Sequence, residues 1–392
     1  MSRADVATAM STPAKRSDRP KVLLIHNILW SHYKAKVFSE LYALTEAAHL
    51  DLYVVQIART DFSRKGLGEA DPEIHRYPYT VLFDSFYAVS FWERAKRIRQ
   101  EIDKFNPTTV VLYGYYDPAV WLLTAYLRAK GIRIIQTVDS VETDNERRPH
   151  KEWIKRQLLR QADLVFCYGK PQRAYLRRLG VPDEKIHIRV QATDHQHLLE
   201  RYRADTPPPP GLPERFFLYI GRYSEEKNLP ALIRAFHATE GDWGLVLVGS
   251  GRMEAALRAQ AAALQDSRIR IEGGKSWDEV VDYYRSATVF VLPSLSEPWG
   301  LVVNEAMWCR LPVLVSTHCG CVEDLVYPER NGLRFDPKDA GALAAGLAHF
   351  VAHPERLTTM GEQSFEIIQA YTPERAAAQM LTGIQRTLAP HA

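Results

Sequence analysis

Short runs of apolar residues recur along this chain, separated by stretches with the spacing of amphipathic helices. VLLIH (Val22–His26), LDLYVVQI (Leu50–Ile57), TVVLYG (Thr109–Gly114), RIIQT (Arg133–Thr137) and DLVFCYG (Asp163–Gly169) read as strands buried on both faces. Helices are expected between them at Val37–Ala48, Phe91–Phe105, near Ala119–Ala129 and up to Leu179, where Gly180 closes the last. Residues 58–90 carry no clear period and read as irregular. A second series follows with FFLYIG (Phe216–Gly221), GLVLVG (Gly244–Gly249), RIRIEG (Arg268–Gly273), VFVLPS (Val289–Ser294) and PVLVST (Pro312–Thr317), and helices over about 340–388. Strand alternating with helix predicts an α/β protein with doubly wound parallel sheets.

Between the two series lies DTPPPPGLP (Asp205–Pro213). Consecutive prolines cannot occupy a helix interior or a central strand, so this stretch predicts an interdomain linker. The expected division is a disordered leader over 1–20, an N-terminal Rossmann-like domain over 21–205, the linker at 206–213 and a C-terminal Rossmann-like domain over 214–372. A last helix over 373–392 is expected to cross back to the first domain. A length of 392 residues suits two domains of ordinary size.

Charge sharpens the division. Residues 1–205 hold 33 Lys and Arg against 25 Asp and Glu, whereas residues 206–392 hold 17 against 22. A basic first half fits attraction to an anionic acceptor or membrane surface. No nucleic-acid recognition motif accompanies it, so no nucleic-acid partner is expected. Cys167, Cys309, Cys319 and Cys321 lack the pairing of a zinc site. No apolar run approaches the ~20 residues of a membrane span, and the start has no signal-like apolar core, so a cytoplasmic protein is expected.

Three segments carry chemistry. GRYSEEKN (Gly221–Asn228) follows a strand directly: Gly221 admits close backbone approach, and Arg222 and Lys227 put two cations at the strand's carboxyl end. Asn228 stands at a helix N-cap position with Pro230 in the first turn, where free N–H groups favour an anion. A diphosphate fits that set. EPWGLVVNEAM (Glu297–Met307) puts Glu297 in a loop and Glu305 just inside a helix starting near Leu301. Two carboxylates can accept from vicinal hydroxyls, and the N–H groups of Gly300, Leu301 and Val302 are helix-start donors. GSG (Gly249–Gly251) ends a further strand and is expected to line the same cleft.

These segments, in this order and spacing, resemble the donor-binding half of family-four GT-B glycosyltransferases, which are retaining enzymes. The resemblance covers about Gly221–Pro312 and weakens through CGCVED (Cys319–Asp324); over residues 21–205 it rests on architecture. It implies two Rossmann-like domains facing across a cleft, and a nucleotide-diphosphate sugar as donor. It further implies that Arg222 and Lys227 bind the diphosphate, that Glu305 holds the ribose and that Glu297 contacts the transferred sugar. The N–H groups of Trp299–Leu301 would support sugar and phosphate, and the base would lie near Gly274 and Lys275.

Some positions depart from the family pattern. After the first strand the family often has a glycine-rich loop; here HNILWSHYKAK (His26–Lys36) has none, leaving Asn27 to approach the nucleotide and Lys34 an acceptor or phosphate. Asp139 follows RIIQT where the family often has histidine, and is the candidate polar group on the sugar or acceptor side. Arg310 replaces a usual glycine. No Asp-x-Asp pair offers a metal anchor, so neither a divalent metal nor a cofactor is expected. The acceptor is expected to be a saccharide or a lipid-linked hydroxyl. The basic, Trp153-bearing segment from Arg147 to Arg160 resembles an interfacial helix and is the candidate membrane contact. Competing readings are another GT-B enzyme, such as a phosphorylase or nucleotide-sugar epimerase, or a sugar-nucleotide-binding module without turnover.

Overall fold

The computed structural model describes residues 19–29, 31–60, 72–144, 147–339 and 341–389; the stretch 1–18, read above as part of a leader, lies outside them. The first half contains β1 (Lys21–Ile28), α1 (His32–Thr45), β2 (Asp51–Thr60), β3 (Tyr79–Ser85), α2 (Phe91–Phe105), β4 (Thr109–Leu112) and α3 (Pro118–Ala129). It continues with β5 (Arg133–Thr137), α4 (Pro149–Arg160), β6 (Leu164–Cys167), α5 (Lys170–Arg178), β7 (Ile186–Ile188) and α6 (His195–Arg203). Its strands form one sheet in the order β3-β2-β1-β4-β5-β6-β7, and every pairing is parallel.

The second half contains β8 (Phe216–Ile220), α7 (Leu229–His237), β9 (Gly244–Val248), α8 (Glu254–Leu264), β10 (Ile269–Ile271), α9 (Trp277–Ser286) and β11 (Val289–Leu292). Then come α10 (Leu301–Trp308), β12 (Val313–Ser316), α11 (Val322–Leu325), β13 (Gly332–Phe335), α12 (Ala342–Ala352), α13 (Leu357–Ile368) and α14 (Pro373–Leu388). The sheet order is β10-β9-β8-β11-β12-β13, again all parallel. Both sheets reverse direction beside their first strand, the switch point at which open α/β sheets hold ligands. The molecule is a GT-B fold of two Rossmann-like domains.

The strand cores follow the sequence pattern. Every residue of β4, β6, β8, β9, β11 and β12 is buried, as a strand covered on both faces requires. Three edge strands depart from the expectation. β3 lies within the stretch read as irregular, because nearly all its residues are half-exposed at the sheet edge and carry no strong apolar signal. β7 and β13, also outermost in their sheets, are three and four residues long. Helix α1 begins at His32, five residues before the expected start, and buries Lys34 as well as Val37, Phe38 and Leu41.

The last helix closes the architecture. Ala376, Ala377, Met380 and Ile384 of α14 belong to the same buried cluster as Val22, Phe38, Leu41 and Phe166 of the first domain. Gly383 permits that approach, since a Cβ there would stand 2.3 Å from the Phe166 ring. Arg310 keeps the left-handed backbone that glycine favours, with φ of 57°. Its guanidinium lies 3.9 Å from the Phe365 ring centroid and pairs with Glu362, contacts that offset the strain.

Candidate active site

Helices and loops from both domains meet across the cleft through buried polar contacts. Asn304 Nδ2 donates to the Gln191 carbonyl at 2.9 Å and its Oδ1 accepts from Trp299 Nε1 at 2.9 Å. Gln172 Nε2 donates to the Pro298 carbonyl at 2.7 Å, and the Lys170 N–H to Asp324 at 2.9 Å. Gly169 and Gly320 allow this closeness: a Cβ on the first would stand 2.3 Å from Asp324, and on the second 1.9 Å from the Pro298 carbonyl oxygen. The CGCVED stretch therefore serves as a domain contact.

At the carboxyl end of β8 the chain turns through Gly221 into the two-cation loop. Lys227 Nζ donates to Glu297 Oε2, and both side chains are nearly buried. Arg222 is half-exposed, and its guanidinium lies 3.3 Å from Glu226. The loop is fixed from below: Tyr219 Oη donates to the Arg222 carbonyl at 2.8 Å, and the Tyr223 N–H to the Ser250 carbonyl at 2.8 Å. Here one expectation is corrected. Gly249 and Gly251 are on the wall of neither cavity described below; they pack beneath this loop, where a Cβ on Gly249 would meet the Gly221 carbonyl at 1.9 Å and one on Gly251 the Tyr223 carbonyl at 2.4 Å. Asn228 occupies the N-cap position of α7 in a left-handed conformation, but its side chain makes no capping bond.

Two cavities line the cleft, and Tyr33 borders both. The first, of about 800 Å³, is bordered by Glu305, Thr193, His197, Ser276 and Trp277. Glu305 Oε2 accepts from Tyr284 Oη at 2.9 Å. Burial pushes the Glu305 carboxyl up to about 7, against the pull of hydrogen bonds from Tyr284 and Thr193. Gly274 and Lys275, expected near a base, stop short of this cavity; its wall falls at Ser276 and Trp277, and Lys275 faces Glu272 at 3.8 Å. Trp277 stacks on His197 of the first domain, centroids 4.4 Å apart. Neither side chain was singled out from sequence, because their meeting depends on α9 and α6 packing together.

The second cavity, of about 500 Å³, is bordered by Arg222, Glu297, Trp299, Gly300 and Leu301 from one domain and by Asn27, Lys34, Asp139 and Arg189 from the other. Val302 is not on its wall; its carbonyl accepts from Tyr284 Oη at 3.3 Å. Asp139 is exposed at the cavity, within the cleft between the domains, and desolvation there raises its carboxyl above the usual range. Nearby His26 is driven down to about 3 by burial and by Lys34, so it adds no positive charge at neutral pH. Glu297 and Glu305 thus face neighbouring halves of one cleft, the first beside the cations and the second beside Trp277. Among the described residues no group of His, Cys, Asp or Glu is arranged to hold a metal ion.

The sequence of the second domain matches the family described as "Glycosyl transferases group 1" over residues 204–366, and the first matches "Glycosyltransferase Family 4" over 41–196. The chain belongs to the family-four type of GT-B glycosyltransferases. It is similar to the D-inositol 3-phosphate glycosyltransferase of Nocardiopsis dassonvillei, 31% identical over 215 residues that cover 50% of each chain. The chain spans about half the length of the curated relatives it matches. Sucrose-phosphate synthase from Thermosynechococcus elongatus has the same fold, with TM-score 0.73 at 22% identity, covering 94% of this chain and 99% of that one. Anabaena HepE, solved in complex with UDP and glucose, aligns with TM-score 0.72 at 16% identity over 94% and 100% of the two chains.

The candidate membrane helix is less charged than its sequence implies. Just before α4 Arg147 pairs with Asp144, and on the helix Lys155 donates to Glu152 and Tyr175 at 2.8 and 2.9 Å. Trp153 remains 61% exposed. Among the described residues no helix is long and apolar enough to cross a membrane.

Proposed function

We propose that this protein transfers a sugar from a nucleotide-diphosphate donor to a hydroxyl of a saccharide or lipid-linked acceptor, retaining the configuration at the anomeric carbon. The observation that carries the reading is the contact of Lys227 with Glu297 at the carboxyl end of the second sheet, one cavity wall away from Glu305. In this reading the nucleoside occupies the cavity of Trp277 and Glu305, with the ribose hydroxyls donating to the Glu305 carboxylate. The diphosphate lies over Lys227 and Arg222, and the sugar enters the second cavity beside Glu297. Anabaena HepE, which shares this fold, is solved in complex with UDP and glucose, a nucleotide and a sugar of the kind this reading calls for.

Binding of the diphosphate would draw Lys227 away from Glu297 and free that carboxylate for a sugar hydroxyl. The acceptor hydroxyl attacks the anomeric carbon from the side of the leaving group. The bond from that carbon to the phosphate oxygen breaks as the new glycosidic bond forms, and the departing phosphate oxygen takes the proton. Rate acceleration then comes from orientation and from cationic stabilisation of the leaving diphosphate. A thermal-shift panel of UDP-, GDP-, ADP- and dTDP-sugars tests the reading, since a true donor raises the melting temperature by mass action. A flat panel overturns it.

A further inference from the structure

The second cavity holds more positive charge than the donor reading uses. Lys34 Nζ donates to Tyr168 Oη at 2.7 Å and lies 3.3 Å from Gln191 Oε1. Arg189 Nη2 donates to the same phenol oxygen at 3.0 Å. Both cations also lie over the Tyr168 ring, 4.7 and 4.6 Å from its centroid. Two basic groups therefore share one neutral partner in a place where Lys34 is 7% and Arg189 is 2% exposed, and burial together with the Arg189 charge pushes Lys34 well below the usual lysine range, so that an anion is needed to hold both protonated. Arg189 Nε and Nη1 have no hydrogen-bond partner. Among the described residues of the cavity wall, Asp139 is a carboxylate that acts on both; Glu297, on the opposite wall, is taken by Lys227. Buried unpaired guanidinium groups are costly, and an arrangement of this kind persists where a ligand completes it.

We infer that Arg189 and Lys34 receive an anionic group, a carboxylate or a phosphate, carried by the sugar that occupies the second cavity. This rests on the proposed reading of the cleft as a glycosyl-transfer site. A guanidinium with two free N–H donors beside an ammonium matches the oxygens of such a group. The group belongs either to the transferred sugar, as in a uronic-acid donor, or to the acceptor. In both cases the cations select for charge and orient the ring that bears it.

Calorimetric titration separates the sources. The nucleoside diphosphates UDP, GDP, ADP and dTDP are titrated first, each alone; if none binds, the reading of the cleft falls and this inference with it. With a diphosphate bound, the inference stands or falls on matched probes. The donor arm compares the glucuronate and glucose conjugates of the binding nucleotide. The acceptor arm compares glucuronate and glucose 6-phosphate with glucose, with the diphosphate saturating. In one arm the charged probe binds about tenfold to a hundredfold more tightly than its neutral partner, the range of a charge-assisted contact. Arg189→Gln and, separately, Lys34→Gln reduce that preference to within about threefold, while the bare diphosphate still binds and certifies the fold of each variant. Equal binding of charged and neutral probes by the unaltered protein in both arms overturns the inference. So does a preference that survives in a variant still able to bind the diphosphate.

Discussion

Lys227 and Glu297 stand 70 residues apart in the chain, yet the ammonium of one donates directly to the carboxylate of the other. The contact joins the loop after β8 to the loop after β11, strands that pair directly at the middle of the second sheet. A cation held in this way is positioned but not consumed, since a diphosphate carries more negative charge than a single carboxylate. Lys227→Ala and Arg222→Ala should each lower the rate of transfer by about 10²–10³, as loss of one charge-stabilising donor does. Single-turnover release of nucleoside diphosphate measures this; a rate within a few-fold of the unaltered protein excludes the residue from the site.

Those two cations also bear on metal dependence. If they neutralise the leaving diphosphate, turnover should be unchanged in excess chelator and gain nothing from added magnesium. An assay in EDTA followed by metal titration checks the point, and a loss restored by a divalent ion contradicts it.

Glu305 links pH to stability. Burial raises its carboxyl from 4.5 to about 7, so the folded state holds the proton more tightly than the unfolded chain. The penalty is absent below the unfolded value, grows as pH rises between the two values and is complete above the folded one. Glu305→Gln should therefore stabilise the protein at pH 8 by on the order of 1–3 kcal/mol, with a much smaller gain near pH 4.5. Urea unfolding at the two pH values is the check, and an equal difference at both would contradict the assignment. Because ribose hydroxyls would donate to the ionised carboxylate, affinity for an NDP-sugar should also rise from pH 6 to pH 8.

Gly249 is the packing point beneath the two-cation loop. A methyl group there cannot coexist with the Gly221 carbonyl 1.9 Å away, so Gly249→Ala must displace the loop that carries Arg222. The expected outcome is a loss of about 1–3 kcal/mol and a fall in turnover larger than the fall in donor affinity. Urea denaturation and steady-state kinetics read the two effects; unchanged turnover would show that the loop is not braced there.

Helix α14 belongs to the core of the first domain. Ile384→Ala should cost about 2–4 kcal/mol, and the loss should be local. Hydrogen exchange is expected to speed up in β1, β5 and β6 while β8, β9 and β11 keep their protection. Uniform acceleration in both sheets would contradict that picture.

The sequence made the central strands readable because burial on both faces leaves uninterrupted apolar runs such as FFLYI and GLVLV. Edge strands are wetted on one side, so β3 carried too little contrast to stand out. Arg222, Lys227, Glu297 and Glu305 could be singled out as candidates because GRYSEEKN and EPWGLVVNEAM each come soon after such a run. Tyr284, Thr193, Trp277 and Arg189 could not. Each reaches the cleft from an element whose local pattern says nothing of its partner, and Arg189 reads in the chain as an ordinary charged residue just beyond a short strand. The glycines of GSG were expected to line the cleft; their packing role follows from the loop above them and not from their own spacing.

The central claim is that Lys227, held by Glu297 of the second cavity, and Glu305, on the wall of the first, bind one and the same donor. Calorimetric titration of the NDP-sugar identified by the thermal-shift panel tests it, using the unaltered protein, Lys227→Ala and Glu305→Ala. One site per chain, with affinity reduced at least about tenfold in each variant, is the predicted result. Undiminished affinity in either variant, or two independent sites in the unaltered protein, would contradict it.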